Sequence, residues 1–314
     1  MSLTRSSERS LRARLGELGM GVAAVLACGV LLGGCAARKP AAKAPPESLE
    51  SAGAGDLLAL LAERRDAIRG LRGTAKLRVA VAARSPTEPE TRLSTSQAVL
   101  VRAPASFRLE SLSPFGVSYV VVSDGRQLAV LAPADGLVYR GDAGAMTIGA
   151  ATGVAAESFE VASLLLGLPP VPPLEESAAW VSTDAVERVD PERGPAPVIY
   201  LHAPSRTAAG QTIVVGFGHA DDAALSGAAV PVLFERIGRG GELYLRARFG
   251  GFRRVDGAIA ATIVSVEAPG SEAELRYKDL SLEPSVESGR FVLATPAGMR
   301  DAPLGGTQPR SSGS

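Results

Sequence analysis

The stretch VSYVVVSDGRQLAVLAPADGLVYR, residues 117–140, decides the fold. Residues 117–123 are a β-branched and aromatic run, Asp124-Gly125 is a tight-turn dipeptide, and residues 127–131 and 137–140 return as two further short strands. Strands this close in sequence pair antiparallel, because a parallel crossover needs a dozen or more residues between them. Val120-Val121-Val122 is apolar on both faces of its strand, so the sheet needs cover outside and either packing or a ligand inside.

Upstream, Leu77, Val79 and Val81 alternate with Lys76, Arg78 and Ala80, and a polar loop at 84–91 (RSPTEPET) leads into strands at 97–102 and 107–112. Arg108 and Glu110 face away from the apolar side, and Ser113-Pro114-Phe115-Gly116 is a turn. Before these strands, Leu57, Leu58, Leu61, Ile68 and Leu71 fall on one side of a core-packing helix, with Asp56 as its cap and Gly70 and Gly73 marking its end.

Downstream, residues 141–174 interrupt the meander. Ser158 caps a short helix containing Phe159, Val161, Ala162 and Leu164 to Leu166, stopped by Gly167 and Pro169. This helix is apolar nearly all round, so it must be covered by protein or must itself cover something. Residues 182–197 read as a polar loop. Strands resume at 198–202, 211–217, 230–237, 242–254, 258–266 and 273–282, with hairpin turns at Gly238 to Gly241 and Asp256-Gly257. A short strand is expected at 290–293 and a disordered tail from Asp301. The expectation is a mainly β fold with some α: about eleven antiparallel strands wrapped into an unclosed barrel, with an N-terminal helix and short helices closing its mouth as a lid.

The N-terminus carries an address. Arg5, Arg9, Arg12 and Arg14 precede a small and apolar run at 19–34, the layout of a secretory signal peptide. That run is about 16 residues, short of the roughly 20 that span a bilayer. It ends in Leu32-Gly33-Gly34-Cys35, which resembles the lipobox of bacterial lipoproteins. The resemblance implies cleavage after Gly34, acylation of Cys35, attachment to membrane lipid and a place in the cell envelope. Cys28, after Val25-Leu26-Ala27, is a rival that would leave more of the apolar run uncleaved. Residues 36–47 (AARKPAAKAPPE) form a semi-extended tether on the order of 40 Å long at about 3.1 Å per residue. Ala36 stands where Asp would argue against the outer membrane. The expected organisation is a signal peptide at 1–34, lipidated cysteine and tether at 35–47, one β domain at 48–300 and a tail at 301–314.

Composition narrows the function classes. Both cysteines lie in the N-terminal segment, which leaves no disulfide framework. The 33 basic and 33 acidic residues balance, which argues against nucleic acid as a partner.

Several short motifs, in shared order over roughly residues 56–300, resemble the periplasmic lipoprotein carrier and receptor family, LolA and LolB. Val121-Val122-Ser123-Asp124-Gly125, followed by Gln127-Leu128 and Pro133, resembles the carrier's strand-turn-strand segment. Arg290-Phe291-Val292-Leu293 with Thr295-Pro296-Ala297-Gly298 resembles its C-terminal ending, and LLLGLP at 164–169 resembles the receptor's helix end. Ser113-Pro114-Phe115-Gly116 resembles the receptor's Asn-Pro-Leu-Gly loop. The resemblance implies an eleven-stranded unclosed barrel with a helical lid, holding acyl chains without a cofactor. Lid and cavity would be built from Phe159, Leu164, Leu165 and Leu168 and from Val99, Val101, Leu109, Tyr119 and Val121. Phe115 matches the residue that protrudes from the receptor, with Pro114 and Gly116 beside it; the other reading folds Phe115 back onto the core.

The implied function is a membrane-anchored receptor that takes lipoprotein acyl chains, with a soluble periplasmic carrier as a partner, and helps place lipoproteins in the outer membrane. The alternatives are a structural or assembly lipoprotein without lipid cargo, or a periplasmic hydrolase. The chain departs from the family in being only 4% aromatic with one tryptophan, Trp180. Arg102-Ala103-Pro104 stands where the carrier has Lys-Arg-Pro, so the arginine that holds the carrier's lid aligns with Ala103. What holds the lid here is left open.

Enzyme signatures are scarce. The two histidines are His202, in a strand, and His219, in the loop Gly218-His219-Ala220-Asp221-Asp222. That loop reads as a solvated turn rather than a metal site. No GxSxG, HExxH or P-loop pattern occurs, and the glycines at 238–241 suit a hairpin better than a phosphate. No catalytic residue, metal site or cofactor is therefore assigned.

Overall fold

A computed structural model describes residues 48–83, 90–114, 116–152, 155–183, 195–205, 209–225, 227–283 and 285–304. The signal peptide, Gly34, Cys35, the tether and Phe115 lie outside the described residues.

Helix α1 (Ala54–Ala67) is followed by six strands: β1 (Gly70–Val81), β2 (Thr91–Arg102), β3 (Ser106–Ser113), β4 (Gly116–Ser123), β5 (Gln127–Ala132) and β6 (Leu137–Asp142). Two short helices interrupt them, α2 (Ala145–Thr152) and α3 (Ser158–Leu165). The second run comprises β7 (Trp180–Ser182), β8 (Ile199–Pro204), β9 (Thr212–His219), β10 (Ala229–Ile237), β11 (Leu243–Gly250), β12 (Arg253–Val255), β13 (Ala258–Ala260), β14 (Ile263–Ala268), β15 (Ser271–Leu282) and β16 (Arg300–Pro303).

Among the described residues fourteen strands make one sheet, in the order β16-β6-β5-β4-β3-β2-β1-β15-β14-β11-β10-β9-β8-β7, and β12 and β13 form a separate hairpin. Its pairs are antiparallel except β16 with β6, which is parallel. The edges β7 and β16 do not meet, so the sheet is unclosed as expected, but it has fourteen strands and not about eleven.

Several boundaries correct the sequence reading. Helix α1 takes Gly53 as its cap, and Asp56 sits in its first turn, accepting a bond from the Gly53 N–H (3.0 Å). The helix stops at Ile68, and Gly70 and Gly73 open β1 instead of closing the helix. Both glycines sit where the carbonyls of Glu283 and Asp279 press against β1, leaving no room for a Cβ; a strand paired on two sides outweighs the helical spacing of Leu71. The single strand expected at 242–254 is broken at Gly251, whose φ of 59° turns the chain out of the sheet. Asp221 stabilises that break by accepting bonds from the N–H groups of Gly251 and Phe252, both at 3.1 Å. Residues 288–291 form a short 3-10 helix where a strand was expected, seating Phe291 as a buried plug. The expected disorder from Asp301 gives way, at 301–303, to the parallel strand β16.

The two faces of the sheet differ. On one, α1 packs Leu57 and Leu61 onto β8 to β11, while α2, α3 and the β12–β13 hairpin cover β1 to β5. Each buried leucine contributes about 1.5–3 kcal/mol. On the opposite face Leu100, Val120, Val122, Ala129 and Val138 are covered by Val286, Phe291 and Leu293 of the C-terminal segment. Both sides of the Val120 to Val122 strand are therefore packed by protein.

Candidate functional site

Helix α3 is the segment expected to act as a lid, and four sets of polar contacts hold it. At its start Glu160 accepts a bond from the Glu157 N–H (2.8 Å), closing the first turn. The other carboxylate oxygen of Glu160 accepts from Arg236 Nη1 on β10, and the Glu160 side chain is only 2% exposed. Ser158, the first residue of the helix and not its cap, donates to the Ala105 carbonyl (2.8 Å) and so accepts from the Ser123 hydroxyl (2.7 Å). At the far end the Tyr277 hydroxyl donates to the Leu165 carbonyl (2.7 Å), and burial pushes that phenol's pKa up. The helix closes with Gly167 at φ 69°, its N–H bonded to Leu164 and that of Leu168 bonded to Ser163, a Schellman ending.

Beside this lid lies a cavity of about 370 Å³. Leu61 and Arg65 of α1, Ala103 and Pro104 of the β2–β3 turn, Phe159 and Ser163 of α3 and its capping residue Leu166 line it, with Leu168, Pro169, Val171, Pro172 and Pro173 as its outer wall. Prolines offer no N–H, so a Pro-Pro-Val-Pro-Pro segment at 169–173 presents mostly carbon to the space. Arg65 Nη2 donates to the Val171 carbonyl (3.0 Å) and ties this wall to α1.

The structure divides the residues expected to form lid and cavity. Phe159 and Leu168 line the space. Val99, Val101, Val121, Leu165 and Leu168 are buried in one core, with Leu109 and Tyr119 packed against it, and Leu164 belongs to the neighbouring core beneath α1. The strand positions thus fill the sheet's inner face with side chains, and the cavity lies at the lid's flank. Sequence reasoning missed Leu61, Arg65, Ala103, Pro104 and the proline wall; the run of four prolines around Val171 was the available signal.

Two further expectations are placed. Pro114 and Gly116 are exposed at the β3–β4 turn, and Gly116 has φ 113°, a conformation glycine adopts freely. Arg102 points to the face away from the lid, where its Nη1 donates to the Val286 carbonyl (3.0 Å) and the Ser288 hydroxyl (2.8 Å) and its guanidinium lies 5.1 Å from the Phe291 ring centroid. It holds the C-terminal segment, whereas Arg236 holds the lid. In the loop after His219, both aspartates serve backbone: Asp221 as described, and Asp222 accepting from the Ala224 N–H (2.8 Å). Among the described residues no group of three potential metal ligands gathers, and no helix is long and apolar enough to cross a membrane.

No family model matches the chain, and no curated protein matches it. Among solved structures it is similar to a LolA superfamily protein from Nitrosomonas europaea, at 16% identity over 77% of this chain and 99% of that one, with a TM-score of 0.44. A DUF1329 family protein from Desulfovibrio piger is similar at 13% identity over 76% and 95% of the two chains, TM-score 0.48. A putative outer membrane lipoprotein-sorting protein domain from Vibrio parahaemolyticus is similar at 14% identity over 74% and 95%, TM-score 0.42. The first of these is named for the LolA superfamily, the group that the sequence motifs of this chain resemble.

Proposed function

We propose that this chain is an envelope lipoprotein, anchored through Cys35, that takes an acyl chain of a lipid or lipoprotein into the cavity beside α3 and helps place lipoproteins in the outer membrane. The observation that carries this reading is the cavity itself. Its volume of about 370 Å³ falls in the range of roughly 300–1,000 Å³ typical of small-molecule sites, and its walls are almost wholly carbon. Burying an acyl chain there yields about 0.8 kcal/mol per CH₂. Arg65 stands at the wall, so a chain can lie on carbon with its polar end near a cation. Hand-over from a soluble carrier then requires only a difference in affinity between the two proteins. The tether at 36–47 gives the domain reach from the membrane surface.

A second reading, a structural lipoprotein without cargo, draws support from the side chains that fill the inner face of the sheet. One experiment separates the two. The full chain is purified from cells and extracted for mass spectrometry, then titrated with a fluorescent fatty acid. A co-purifying acyl lipid, or saturable probe binding that the lipid displaces, is the expected result. Failure of both removes the cargo reading and leaves the structural one.

A further inference from the structure

A second recess, of about 640 Å³, opens on the sheet face opposite the lid, where β3, β2, β1 and β15 lie side by side and Arg290 of the C-terminal segment forms a wall. Its character is the reverse of the acyl cavity. Arg72, Arg108 and Arg290 converge on it together with Glu110 and Asp279. The acids are engaged: Glu110 is paired with Arg108 Nε, and Asp279 accepts from the Thr74 hydroxyl. Arg108 also donates to the Arg290 carbonyl (3.3 Å), which fixes the wall to the floor. The guanidiniums of Arg72 and Arg290 are exposed and make no hydrogen bond or ion pair among the described residues. Guanidinium forks match the oxygens of phosphate two at a time.

We infer that this recess binds a phosphate group between Arg72 and Arg290, carried either by a free phosphate compound or by the head group of an anionic phospholipid. Arg108 is held by Glu110 and shapes the floor, while Thr74 and Ser281 add hydroxyls at its margin. The site lies on the opposite side of the sheet from the lid, so it stands or falls independently of the acyl cavity.

The test is calorimetric titration of the full chain in a neutral detergent, first with inorganic phosphate and then with dihexanoyl phosphatidylglycerol. One-to-one binding of either is expected, weakened about tenfold by Arg72→Ala and again by Arg290→Ala, with melting temperature unchanged. Arg276→Ala, an exposed arginine of β15 paired with Glu274, leaves binding as it was. Arg290→Gln repeats the measurement should the alanine variant lower stability. Binding of phosphate identifies a free phosphate compound; binding of the lipid alone identifies a head group. No binding of either, or binding undiminished in the Arg72→Ala/Arg290→Ala double variant, overturns the site.

Discussion

Glu160 on α3 and Arg236 on β10 form a buried ion pair that joins the lid helix to the half of the sheet that α1 covers. Glu160 has both carboxylate oxygens bonded, one to Arg236 and one to the Glu157 N–H, whereas Arg236 Nε finds no partner among the described residues. Removing the cation alone strands a carboxylate in the core. Arg236→Met is expected to cost about 3–5 kcal/mol. The double variant Glu160→Gln/Arg236→Met should lose less than the sum of its single changes, with a coupling above about 1 kcal/mol. Urea unfolding of the four proteins measures this, and strict additivity would show that the pair does not fasten the lid.

Ser163 is the small residue on the lid's cavity side. Ser163→Phe is expected to fill the space without cutting a buried side-chain hydrogen bond. Fluorescent fatty-acid binding should fall at least about tenfold while thermal stability holds. Probe binding that survives unchanged would move the acyl site elsewhere.

At the exposed β3–β4 turn, Phe115→Glu is expected to leave the melting temperature intact and to impair delivery of lipoproteins to acceptor vesicles. A large loss of stability instead would make Phe115 a core residue. Cys35→Ser should move the protein from the membrane to the soluble fraction on cell fractionation; continued membrane retention would refute the lipid anchor.

His202 stacks on Trp180 with centroids 5.3 Å apart and an interplanar angle of 11°, and its Nε2 lies 2.9 Å from the Ser182 hydroxyl. Burial lowers its pKa from the ordinary value of 6.5. The unfolded chain therefore takes up a proton at a higher pH than the folded one does. Stability is complete above pH 6.5 and declines as the pH falls through that value toward the lower folded pKa. Melting temperatures between pH 7.5 and 5 should show the decline, and His202→Gln should shrink it. A variant with the same pH slope would assign the effect to other groups.

The meander was legible because its signals are local: Asp124-Gly125 turns the chain, and β4 to β6 match residues 117–140 within a residue or two. Elements defined by distant partners were not. Leu71 obeys a helix period, yet β1 is claimed by β15 from across the sequence. The short edge strand β7 carries too few residues to show alternation, and β16 borrows its order from pairing with β6. At the site, apolar content pointed correctly to the α3 segment, but sequence alternation cannot separate a side chain lining a cavity from one filling a core. Val99 and Val121 look the same as lining residues until the structure shows them buried in one core with Ala162, Leu165, Val255 and Ala260.

The pairing of β1 sets an order of assembly. Its neighbour β2 follows at once, but its other neighbour arrives late: Thr74 and Asp279, hydrogen-bonded across the seam, are 205 residues apart in sequence. Closing so long a loop carries an entropic penalty that grows as about (3/2)RT ln n, and pairings at such separation form slowly. During synthesis, β1 to β6 can zip together while the far edge of β1 stands bare, and a bare strand edge is a template for joining another chain. A polypeptide cut short before residue 271 lacks the strand that covers that edge, so the chain's greatest exposure to aggregation and proteolysis falls between its emergence from the ribosome and the docking of its fifteenth strand.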